Sequence, residues 1–112
     1  MTEPFRDLEA TIAALWHDAR PRVLARVEVV ETALAALRSG GLDPALAAEA
    51  RREAHKLAGA LGTFGMPNGT AAARAVERRL EAGVGPGDEA AMAAEARELR
   101  RIVEDGPAAA RG

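Results

Sequence analysis

Apolar residues recur along the chain at three- and four-residue steps, the spacing that gathers side chains on one face of an α-helix. Phe5, Leu8, Ile12, Leu15 and Trp16 outline a first helix from Pro4 to about Ala19. Pro21 then either opens a second helix at its first turn or kinks one long helix. Val23, Val27, Val30, Leu34 and Leu37 form one apolar stripe, which ends at Ser39, Gly40 and Gly41. Asp43 and Pro44 restart the chain as N-cap and first helical residue, and the third helix runs to about Phe64. After a break at Gly65 to Gly69, a fourth helix turns Ala73, Val76 and Leu80 inward and stops near Gly83. A fifth, capped by Asp88, places Met92, Ala96, Leu99 and Val103 on one face.

Short connections favour antiparallel neighbours. The pattern predicts an all-α fold: an antiparallel up-down four-helix bundle with an additional N-terminal helix, over residues 1–105. Residues 106–112, with Gly106, Pro107 and a run of alanines, read as a disordered tail or linker.

Composition narrows the function. The chain has 112 residues, enough for one domain, and no cysteine, which removes disulfides and thiolate metal sites. Its two histidines, His17 and His55, lie far apart, and no metal site is expected. Aromatic residues make up 3% and the net charge is -2 with both signs interspersed, which argues against nucleic-acid or membrane partners. There is no apolar run of spanning length and no signal peptide, so a cytoplasmic protein is expected; a monomer is expected as well.

The third helix carries the candidate chemistry. At about 100° per residue, Ala50, Ala54, Leu57, Leu61 and Phe64 fall together as the buried stripe. His55, Gly59, Gly62 and Met66 fall on the opposite side, with Arg51 and Arg52 flanking. Each glycine inside a helix costs about 0.5–1 kcal/mol relative to alanine. A bare backbone beside His55 gives a reason to accept that cost, because it lets another protein's surface reach the imidazole. A neutral imidazole is a competent nucleophile, and Lys56, Arg52 and Arg51 are cations placed to offset phosphoryl charge. His17, beside Trp16 near a helix end, has no such surroundings and reads as a solvated residue.

The run from His55 to Gly65 resembles the phosphorylation-site motif of histidine-containing phosphotransfer (HPt) domains. The matching residues are the histidine, Leu57 two on, Gly59 four on, Ala60 five on, Phe64 nine on and Gly65 ten on. The resemblance implies a four-helix bundle with His55 exposed in mid-helix. That histidine would take a phosphoryl group from an aspartyl-phosphate on one receiver domain, including receivers of hybrid histidine kinases, and give it to another. The receiver would bring Mg²⁺, and the chain itself needs no cofactor. Lys56, Arg52 and Gly59 then support the phosphoryl group, and Arg51, Ala58, Gly62 and Met66 form the docking face. One departure stands out: many members have lysine three residues after the histidine, where this chain has Ala58.

Other classes fit less well. A docking module without phosphotransfer would use the same glycine-lined face but has no need of His55. A carboxylate metal bundle needs Glu three residues before an inward histidine, and Arg52 stands there. An autonomous kinase lacks a glycine-rich nucleotide loop and the chain to build one.

Overall fold

Four helices and two single-turn 3₁₀ segments make up the computed structural model, which describes residues 4–111, with side chains from residue 6 onward. The helices are α1 (Pro4–Arg38), α2 (Pro44–Thr63), α3 (Pro67–Ala82) and α4 (Glu89–Asp105); the 3₁₀ turns are Pro86–Asp88 and Ala108–Ala110. Among the described residues there is no strand, and no helix is long and apolar enough to cross a membrane. Each helix packs on two others, in the cyclic order α1, α2, α3, α4 and back to α1. The fold is therefore the expected all-α bundle.

The apolar stripes of the sequence meet at its centre. Val27 and Val30 from α1, Leu57 and Leu61 from α2, Val76 from α3, and Met92, Leu99 and Val103 from α4 are fully buried. No polar or charged residue is buried among the described residues. The core thus supplies stability through apolar area alone. Charge enters only at its rim, where Arg100 grips Glu31 of α1 at 2.7 and 2.8 Å, and Arg79 grips Glu95 at 2.7 and 3.0 Å.

Two expectations are corrected. The additional N-terminal helix is not a separate element: it is the first half of α1, which passes through Pro21 without a break. Proline inside a helix removes one backbone bond and crowds the carbonyl four residues back. Here both Pro21 and His17, whose carbonyl loses its donor, are exposed, and buried Trp16 and Val23 anchor the helix on either side. The expected apolar face of this segment is only partly used. Trp16 is buried, but Leu8 and Leu15 remain 55% and 56% exposed. At 35 residues α1 is about 52 Å long, and it outruns the 20 residues of α2. The Phe5 side chain lies outside the described residues.

The second correction concerns the tail. Over residues 106–111 the chain is not a free linker but a turn packed against α1. Gly106 takes φ 73°, a left-handed value open to glycine, and it sits close against the Trp16 ring: a Cβ there would fall 2.8 Å from Trp16 Nε1. Phe64 meets the same ring edge-on, with centroids 5.1 Å apart at 75°. Trp16 therefore ties the overhanging part of α1 to the end of α2 and to the chain's C-terminal turn.

Candidate functional site

The site lies along the border between α2 and α3, and its register is set by the turn that joins them. Asp43 caps the start of α2, accepting from the Leu46 N–H at 2.8 Å. At the other end Gly65 takes φ 72°, the Met66 N–H donates to the Leu61 carbonyl at 2.8 Å and the Gly65 N–H to Gly62 at 3.1 Å. This closing pair of bonds, the Schellman arrangement, reverses the chain over very few residues and sends α3 back along α2. Three cross-contacts record the result. Arg51 meets Glu81 at 3.9 Å, His55 meets Glu77 at 2.8 Å, and Gly62 faces Thr70.

His55 stands in the middle of α2 with its side chain 74% exposed, as its place opposite the buried stripe predicts. Its Nδ1 lies 2.8 Å from Glu77 Oε2, and the Glu77 side chain is 19% exposed. A carboxylate only accepts, so in the neutral imidazole Nδ1 carries the hydrogen and donates it, which leaves the lone pair on Nε2. One contact thus selects the tautomer and limits the ring's rotation. Glu77 was not singled out in the sequence, because it sits twenty-two residues downstream on another helix.

The two glycines of this face differ. A Cβ at Gly59 would meet nothing within 4 Å, so the surface next to the imidazole is open, as the close-approach argument requires. A Cβ at Gly62 would come 3.3 Å from Thr70 Oγ1, and that hydroxyl donates to the Ala58 carbonyl at 2.8 Å. Gly62 is an exposed residue, yet its missing side chain makes room for α3.

Arg51, Arg52, His55, Lys56 and Glu77 line one open hollow of about 280 Å³. The predicted cations therefore do converge on the histidine. They are not equally free, for Lys56 Nζ lies 3.5 Å from Glu53 and Arg51 reaches Glu81. Arg52 is exposed and makes no ion pair or hydrogen bond among the described residues.

Two predicted docking residues are corrected. Ala58 is 6% exposed and faces α3, and Met66 is 7% exposed and belongs to the core. Ala58 lies toward the α3 side of the wheel rather than on the open side. Met66 falls off the wheel altogether, because α2 ends at Thr63 and the positive φ of Gly65 turns the next residue inward. His17 is exposed, with no ion pair or hydrogen bond among the described residues.

The exposed imidazole, its carboxylate partner and the bare backbone beside it form an arrangement suited to exchanging a group with another protein rather than enclosing a small substrate. No curated protein and no solved structure matches the chain. The family model for the Hpt domain matches residues 9–105, from the overhanging part of α1 to the end of α4 and including the whole of this site. With that match covering most of its length, the chain belongs to the Hpt domain family.

Proposed function

We propose that His55 is the phosphoryl carrier of this domain, taking the group from the aspartyl-phosphate of one receiver domain and passing it to another. Membership in the Hpt family brings a phosphotransfer role in two-component signalling. The observation that carries the specific reading is His55 itself: exposed, held at Nδ1 by Glu77 and flanked by the open backbone of Gly59.

The lone pair of Nε2 attacks the phosphorus of the acyl phosphate. An N–P bond forms, the P–O bond to the aspartyl carboxylate breaks, and the carboxylate leaves with the electron pair. No proton need move, because Nδ1 keeps its hydrogen. The ring gains positive charge as the bond forms, and the Glu77 carboxylate beside Nδ1 stabilises it. Passing the group onward reverses these steps. Lys56 and Arg52 offset phosphoryl charge from the hollow, and Gly59 admits the receiver's surface. The receiver brings Mg²⁺, and the domain acts as a monomer in the cytoplasm.

The test is phosphoryl transfer from a phosphorylated receiver to the wild type and to His55→Gln, read as acid-labile, alkali-stable label. Label on the wild type and none on the variant is the expected result. Equal label on both would move the carrier elsewhere, and no label on the wild type from a panel of receivers would leave a docking module without the chemistry.

A further inference from the structure

The register between α2 and α3 assigns a role to a residue outside the hollow. Arg51 faces Glu81, His55 faces Glu77 and Gly62 faces Thr70, so each step along α2 is matched by an equal step back along α3. The same register sets Arg74 across from Ala58, between the His55–Glu77 and Gly62–Thr70 steps. Arg74 follows Thr70 by four residues and precedes Glu77 by three, so all three lie on the strip of α3 that borders α2. It is exposed and makes no ion pair or hydrogen bond among the described residues. Opposite it, Ala58 offers only a buried methyl group, and a Cβ at the neighbouring Gly59 would meet nothing within 4 Å, so the α2 surface beside it is open.

We propose that Arg74 is a phosphoryl-binding residue, closing over the group on His55 from the α3 side; this rests on the carrier reading above. The need for it follows from charge. A phosphoryl group on Nε2 places strong negative charge one imidazole ring away from the Glu77 carboxylate that holds Nδ1. A cation on the helix that carries Glu77 can offset this repulsion from the α3 side, across from the cations of α2. Arg51 and Lys56 already meet carboxylates at 3.9 and 3.5 Å, whereas Arg74, like Arg52 on the α2 side, makes no ion pair among the described residues. Its planar fork of donors fits two phosphoryl oxygens at once. The unphosphorylated protein leaves the guanidinium in solvent, and loading of His55 recruits it.

The experiment loads the full chain from a phosphorylated receiver and follows gain and loss of label on wild type, Arg74→Gln, Arg74→Lys and Arg97→Gln. Arg97 is an exposed arginine on α4 and controls for the loss of one positive charge. Arg74→Gln is expected to load about tenfold more slowly and to hold its label more briefly, the scale of one charged hydrogen-bonding contact. Arg74→Lys should recover part of that rate, since it keeps the charge and loses the planar fork, Arg97→Gln should match wild type, and all four should melt together. Wild-type rates in Arg74→Gln would overturn the inference and leave the carrier reading intact. A loss shared by Arg74→Lys and accompanied by a lower melting temperature would overturn it as well, since the role would then be structural. No label on the wild type would overturn the carrier reading and this inference together.

Discussion

Gly59 and Gly69 lie ten residues apart, one inside α2 and one in the first turn of α3, and the same missing side chain serves opposite ends. Around Gly59 a Cβ would meet nothing within 4 Å. At Gly69 it would fall 2.7 Å from Leu61 Cδ1, 3.1 Å from Ile102 Cγ2 and 3.3 Å from Leu61 Cβ. One glycine empties a surface and the other lets α3 sit down on a filled core. Only the second is required by folding. The first weakens its helix and gains nothing inside the molecule. A cost in stability with no internal return, placed one turn from an exposed histidine, fits the proposed approach of a receiver domain to that face.

Substitution can break this contrast. Gly59→Glu should abolish transfer from a receiver to His55 while the melting temperature stays at or slightly above that of wild type; normal transfer would remove the close-approach argument. Gly69→Val should do the reverse, lowering stability by about 3 kcal/mol through overpacking against Leu61, read by urea denaturation, with transfer per folded molecule unchanged. The finest test is Gly59→Ala. It should raise stability by about 0.5–1 kcal/mol, the helix-propensity difference alone, and slow transfer only modestly, because one methyl group takes up little of the open space.

The sequence separates these two glycines poorly, and the reason is general. Periodicity reports which face of a helix is buried, so the stripes through Val27, Leu57, Val76 and Leu99 and the exposure of His55 were readable at once. It says little about what comes opposite. Gly69 reads as part of a break until Leu61 and Ile102 are known to cover it. Ala58 and Met66 were assigned to an open face that α3 and the turn at Gly65 close. The continuity of α1 through Pro21 depends on which side of the helix the lost bond falls, a tertiary fact.

Glu77, the main residue missed, did leave a signal. In a tight helical hairpin the two arms count outward equally from the turn, and Glu77 is as far after Met66 as His55 is before it. Folding the sequence about the glycine turn would have brought the carboxylate to the imidazole. That reading needs the turn to be short, and the break from Gly65 to Gly69 obscured how short it is: α3 begins already at Pro67.

The overhang of α1 has a hydrodynamic consequence. The molecule measures 59 × 19 × 18 Å with a radius of gyration of 15.5 Å, against about 13 Å for a compact chain of this length. Such a rod spins about its long axis faster than it tumbles end over end. Backbone N–H vectors that lie along that axis sense mainly the slow tumbling, while those that lie across it relax differently. A second protein seated beside His55 would thicken the rod across its short axes and draw these relaxation rates together, so the anisotropy of rotational diffusion becomes a label-free gauge of docking on the unmodified domain.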